Sequence, residues 1–309
     1  MIFLPYKMDL ESNRIPVITL LICTVCVLVF WNQYLKDSQH NSAISQFCNE
    51  SLERGEVILL RKIAHEDSGN HCNVIFEEIR EAQNPEEKIE ELAMQAEPIG
   101  AFSTDEDDYR YRYGRLEELY NQYELKVPKS LTGELAYNPK ELNFVKMVTS
   151  TFSHGDVLHL LGNLLFFYIF SASVELLFGV SVYLVFIFIA TIGTSLAYSY
   201  AMIGVNDALP TIGLSGVVMA AVAALAVMMP SARIRCLFWF LIIFKVFRIP
   251  ALFLALWYIG WDIYEMNSQG NDSYINYVAH VSGAGIGALF GLVYYLFRKN
   301  EIRASVSSY

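Results

Sequence analysis

Three polar groupings interrupt the apolar stretches of this chain: His154-x4-His159-x3-Asn163, Gly213-Leu214-Ser215-Gly216, and His280. Hydroxyl, imidazole and amide side chains are the ingredients of acyl transfer. A serine hydroxyl is a poor nucleophile until a base removes its proton, and the oxyanion formed on attack needs donors placed in advance. Ser215 is the candidate nucleophile and His280 the candidate base. Gly213 and Gly216 would let the backbone turn tightly and bring amide N–H groups to the oxyanion. His159 and Asn163, one helical turn apart, would add side-chain donors.

Such groups must be held by elements, and the composition says which kind. Hydrophobic residues make up 54% of the 309 and charged residues only 17%, too apolar for an ordinary soluble enzyme. The apolar residues fall in blocks long enough to cross a bilayer, which needs about 20 residues per helix. Six spans are expected: Ile15 to Leu35, Val157 to Phe178, Val180 to Met202, Ile212 to Met229, Ile249 to Tyr264 and Tyr277 to Phe297. The first reads as a retained signal-anchor, because no small-residue cleavage site follows it. Arg233 to Arg248 is apolar but carries Arg235, Lys245 and Arg248, and reads as an interfacial segment. Six spans put both termini on one side. Lys7, Arg14, Arg233, Arg235, Lys245, Arg248, Arg298, Lys299 and Arg303 fall there, so that side is expected to be cytoplasmic. The loops Ile203 to Thr211 and Asp262 to Asn276 then face outward.

Helix rise places the polar groups in depth. At about 1.5 Å per residue, Ser215 lies roughly 24 Å above Ser231 and His280 roughly 27 Å above Arg298. Asn163 and His159 lie about 24 Å and about 30 Å above Gly179 by the same measure. In a hydrocarbon core about 30 Å thick, all four meet at one level just beneath the outer surface. Ionisable groups at such depth are costly and point to function. Counted from Ser215, the fourth span is too short to cross. The preceding Asn206-Asp207-Ala208-Leu209-Pro210 must therefore dip into a protein-lined or watery cavity. No acidic residue is placed at this depth, so Ser215 and His280 are expected to act as a dyad. Gly283 and Gly287 form a small-x3-small face, suited to pressing the sixth helix against a neighbour such as the fourth.

Charge is just as unevenly distributed. Lys36 to Asn143 carries 23 acidic and 12 basic side chains, a net of −11, against +1 for the rest. No basic stripe exists to meet phosphates, which excludes a nucleic-acid partner. This segment reads as a soluble outer insert with helices near Ser42 to Ala64, Asn73 to Ala82, Pro85 to Ala96 and Asp105 to Leu125. Gly69, Pro98, Gly100 and Pro128 punctuate it. Cys48 and Cys72 pair if the segment faces an oxidising compartment, and otherwise are two buried thiols. Cys23-x2-Cys26 has no second pair beside it and suggests no metal site. The expected domains are 1–35 (N-terminus and first span), 36–143 (insert), 144–297 (catalytic core of five spans) and 298–309 (tail).

Taken together, His154-x4-His159-x3-Asn163, Gly213-x-Ser215-Gly216 and Ala279-His280-x2-Gly283-x3-Gly287, with Glu175 twelve residues after Asn163, resemble the rhomboid family of intramembrane serine proteases. The resemblance covers the first span and the region from about Pro139 to Phe297, but not the insert. It implies an all-α polytopic membrane protein, a six-helix bundle with a mainly helical insert in the first outer loop. It further implies Ser215 and His280 as the reacting pair, with His159, Asn163 and the Leu214 and Ser215 N–H groups around the oxyanion. His154, Glu175, Gly213, Gly216, Gly283 and Gly287 would be structural. No cofactor or metal is implied. The expected partners are the lipid bilayer, single-pass transmembrane substrates cleaved near the outer boundary, and a partner for the acidic insert. The plasma (inner) membrane is the expected location. Met219 stands where the family often has an aromatic beside the histidine, and Val145-Lys146 where a Trp-Arg pair is frequent. Two other functions compete: a non-catalytic rhomboid-like binder of membrane clients, which typically lacks the serine or histidine, and a transporter or metal site on His154, His159 and His280. The five-residue spacing of His154 and His159 is poor for coordination from one helix face.

Overall fold

The computed structural model describes residues 2–8, 14–64, 71–82, 84–205, 208–240, 243–269 and 275–307. Gly69, Asn206 and Asp207, all expected in loops, lie outside these. The elements in chain order are β1 (Ile2–Met8), α1 (Val17–Gln46), α2 (Arg54–Ala64), α3 (Cys72–Glu81), α4 (Pro85–Gln95), α5 (Asp105–Lys126) and α6 (Leu131–Leu135). There follow α7 (Phe144–Phe152), α8 (Val157–Phe166), α9 (Ala172–Phe178), α10 (Val180–Ala201), α11 (Ser215–Met228), β2 (Arg233–Phe240), β3 (Ile243–Pro250), α12 (Ala251–Gln269) and α13 (Tyr277–Ser307). They form two compact units, one of Met1–Gln33 with Thr132–Tyr309, the other of Tyr34–Leu131.

The smaller unit is built by helices with one apolar face each. Leu59, Ile75, Phe76, Ile79, Leu116 and Tyr123 form its core, with Phe76 and Tyr123 stacked at 5.0 Å between ring centres. Thr104 caps α5 by accepting from the Asp107 N–H at 3.1 Å, and Asp105 to Asp108 place negative charge at the positive end of the helix. Arg112 enters this core because its Nε and Nη1 donors are answered. It donates to Asp108 at 2.7 Å and to the Ala93 and Ala96 carbonyls at 2.5 and 2.6 Å, the open C-terminal end of α4. Burial and the Glu77 carboxylate, to which it donates, push the Tyr123 phenol up. Cys48 and Cys72, left open by the sequence, are joined by a disulfide that closes 24 residues. A loop of that size restricts the unfolded chain by roughly 3 kcal/mol. Cys72→Ser should therefore lower the melting temperature of this unit while the wild type loses the same increment on reduction. Equal melting curves with and without reductant would contradict it.

The larger unit holds the apolar helices. Val17–Ser51, Val157–Phe178, Val180–Ala201 and Tyr277–Arg298 are each long and apolar enough to cross a membrane. Four such helices mark an integral, multi-pass membrane protein. α11 has 14 residues, about 21 Å of helix, short of the roughly 30 Å core. α12 carries Asp262 and Glu265 in its second half and does not reach the same apolarity. α8 and α9 are one helical run interrupted by a π segment, Phe167–Ser171. α13 breaks its regular geometry at Arg298, where the apolar run ends.

Two packing devices hold these helices. Glu175 of α9 is buried and accepts from the Ile18 N–H at 2.9 Å, the Thr19 N–H at 2.7 Å and the Thr19 hydroxyl at 2.7 Å. It caps α1 from another helix, satisfying donors that the first turn leaves open. Tyr183 completes the network, 3.0 Å from the Thr19 hydroxyl and 2.6 Å from that of Ser171. The second device is a glycine seam. A Cβ on Gly283 would fall on the Gly216 carbonyl, one on Gly287 on the Ala220 carbonyl, and one on Gly291 at 2.9 Å from the Ala224 Cα. Three glycines of α13 thus lie on the backbone of α11, the close approach that small residues permit.

Two expectations need correction. α1 does not stop at Leu35 but continues to Gln46, a stretch that contains no Gly or Pro to break it. The segment read as interfacial is an antiparallel hairpin, β2 with β3, extended by β1 into a sheet of order β1-β2-β3. Its β-branched and aromatic residues favour a pleated strand. β1 pairs with β2 in a register that sets Lys7 against Arg235 and Phe3 against Phe238.

Candidate active site

The chain enters α11 through an irregular segment pinned at several points. Thr211 and Tyr137 exchange backbone hydrogen bonds of 2.9 and 3.0 Å, and the Gly213 N–H donates to the Ser150 carbonyl at 2.8 Å. The Tyr198 hydroxyl holds the Leu209 carbonyl at 2.8 Å, and Asn276 donates to the Thr211 hydroxyl at 3.0 Å. Gly213 has φ of +119°, a conformation side chains rarely adopt. A Cβ there would also stand 2.8 Å from the His159 Nε2. Glycine is required twice over, by backbone angle and by the ring packed on it. Two residues later Ser215 opens α11, where backbone N–H groups lack helical partners and the helix dipole is positive.

Ser215 and His280 border one cavity of about 790 Å³, and His159, Asn163, Met219 and Asp262 line it too. The four polar groups that helix rise placed at one depth therefore share one hollow. Among the described residues the Ser215 hydroxyl has no hydrogen-bond partner. Asp156 caps α8 by accepting from the His159 N–H at 2.9 Å, which fixes the start of the helix that presents His159 and Asn163. The Asn163 amide donates back to the His159 carbonyl at 3.0 Å, so it must turn to serve an oxyanion. Leu214 is fully buried and directly precedes the serine.

His154 is held differently from what its type suggests. Its backbone N–H donates to the Gln33 side chain at 3.2 Å, and its carbonyl accepts from Gln33 at 3.3 Å. Neither ring nitrogen bonds to a described residue, and the ring meets His159 edge-on at 5.2 Å. Its contribution to hydrogen bonding is made by backbone.

One site residue was missed from sequence. The His280 Nδ1 lies 3.1 Å from the Asp262 Oδ2. The expectation that no carboxylate stands at this depth is wrong: Asp262, given to the outer loop although the expected span reached Tyr264, lies well inside α12, which runs on to Gln269. Asp262 is thereby a helical residue facing the site and not the first residue of a loop. Its signal was available: one acid between Ile259 and Ile263 in an apolar helix needs a partner.

A search of curated proteins gives no match. The Rhomboid domain family model matches residues 141–297, which take in every residue that lines the cavity. With that match over half of its length, this chain belongs to the rhomboid family, a family of intramembrane serine proteases.

Proposed function

We propose that this protein is an active rhomboid protease that hydrolyses single-pass transmembrane substrates near the outer membrane boundary, with Ser215 as nucleophile and His280 as general base. The observation that carries this reading is the placement of Ser215, at the open N-terminal end of α11, in the same cavity as His280. Ser215 Oγ bonds to the scissile carbonyl carbon as its proton passes to His280 Nε2. The negative oxygen is met by the Leu214 and Ser215 N–H groups, His159 and a reoriented Asn163. Collapse breaks the C–N bond, and the proton on His280 goes to the leaving amine. Water then attacks the acyl-enzyme, gives a proton to His280, and releases the acid with Ser215 restored. The hydrogen bond from Ser215 to His280 forms when substrate arrives, since catalytic pairs often close only in the substrate complex.

A continuous substrate helix hides its carbonyls in its own hydrogen bonds, so cleavage needs a segment that unwinds. Preferred substrates carry Gly, Ala, Ser or Pro in the outer third of their span. The insert serves substrate capture or regulation on the outer side of a plasma (inner) membrane, with both termini cytoplasmic.

The test is cleavage of a reconstituted single-pass substrate with the cut mapped by mass spectrometry. The cut should fall among those small residues, and replacing them by Leu should suppress it. Asn163→Ala should slow cleavage by roughly 10²–10³, since one oxyanion donor of several is lost. A cut at the opposite membrane boundary, or an unchanged rate with the Leu substrate, would count against this reading.

A further inference from the structure

We propose that Asp262 is a positioning residue for His280, so that the base is oriented by a carboxylate and the functional group is Ser215–His280–Asp262. This rests on the assignment of Ser215 and His280 as the reacting pair. Asp262 of α12 and His280 of α13 are brought together across 18 residues of sequence, with Oδ2 and Nδ1 3.1 Å apart. Their side chains are 14% and 16% exposed, and both line the cavity that contains Ser215. A carboxylate withdrawn from water must be answered by donors, and His280 is the side chain that answers this one.

The chemistry follows from the two ring nitrogens being distinct. A carboxylate accepts and does not donate, so it holds the proton on Nδ1. Nε2 is left with its lone pair for the Ser215 hydroxyl. When that proton arrives, the imidazolium faces a fixed negative charge at hydrogen-bond distance. Asp262 takes up no proton and touches no substrate; it selects the tautomer and stabilises the charged base. Without it the neutral ring favours the proton on Nε2, which points a donor where an acceptor is required. Among the described residues no other side chain bonds to the ring, and Tyr277 meets it edge-on at 6.1 Å.

A role limited to tying α12 to α13 would set the tautomer but would not lower kcat with KM unchanged. Both are measurable on the full-length protein in proteoliposomes. With ¹⁵N-labelled histidine, wild-type His280 should resonate as the Nδ1–H tautomer, and Asp262→Asn should shift it to Nε2–H. The same variant should lower kcat by about tenfold or more with KM little changed, and Asp262→Glu should recover part of the loss. Wild-type His280 carrying its proton on Nε2 would overturn the proposal without any variant having to fold. So would an Asp262→Asn enzyme with the wild-type kcat. Ser215→Ala run in parallel separates the failures. Cleavage that survives Ser215→Ala removes the protease assignment itself, whereas cleavage lost there but kept in Asp262→Asn removes only the role of Asp262.

Discussion

Replacing Ser215 with alanine should reduce cleavage of a reconstituted single-pass substrate to background, a loss of roughly 10⁴-fold or more, and His280→Ala should do nearly the same. The double variant should be no slower than either single one. The two side chains act on the same proton in the same step, so removing one leaves the other without a task. Both border a single cavity, and neither supports the helix seam on which insertion and folding depend. Ser215→Ala should therefore melt close to the wild type, and His280→Ala somewhat lower, because it leaves the Asp262 carboxylate without its partner. Initial rates of all four proteins on one substrate form the measurement. Losses that multiply in the double variant would mean that the residues serve separate steps.

Gly287→Leu should be comparably damaging for a different reason. Any Cβ at Gly287 lands on the Ala220 carbonyl, so the obstacle is backbone and cannot turn aside. α11 and α13 would have to separate, parting Ser215 from His280 and opening the closest helix contact in this unit. Overpacking of this kind costs about 3 kcal/mol or more. The expected result is a large fall in melting temperature together with loss of activity. Gly285, two residues earlier, has nothing within 4 Å of its Cβ direction. Gly285→Leu should leave both properties nearly intact. If the two substitutions behave alike, the seam does not hold the helices together.

The elements that position the site were legible because a membrane helix announces itself locally. The apolar runs, the Gly213-x-Ser215-Gly216 turn and the four-residue spacing of Gly283 and Gly287 lie within single segments. Depth arithmetic then brought Ser215, His280, His159 and Asn163 to one level, and they do line one cavity. What escaped is non-local or depends on where an element ends. β1 finds its partner more than two hundred residues away, and the β2–β3 region is apolar on alternate and adjacent positions alike, which hides a period of two. Glu175 was marked as structural by the resemblance, but its capping of Ile18 and Thr19 needed the fold. Asp262 was lost because hydropathy falls at Asp262 and Glu265 while the helix does not. The disulfide could not be decided from spacing, since pairing of Cys48 with Cys72 depends on the turn that follows α1 meeting the start of α3.

The central claim, that Ser215 is a nucleophile activated by His280, is tested most directly by covalent capture. A fluorophosphonate reacts only with a serine whose proton has somewhere to go, and the adduct can be located by peptide mass spectrometry. Purified full-length protein in detergent should carry one phosphonyl group, on Ser215, formed in competition with substrate and slowed to near background in His280→Ala. A folded protein that stays unlabelled at Ser215, or that labels equally fast without His280, would contradict the account.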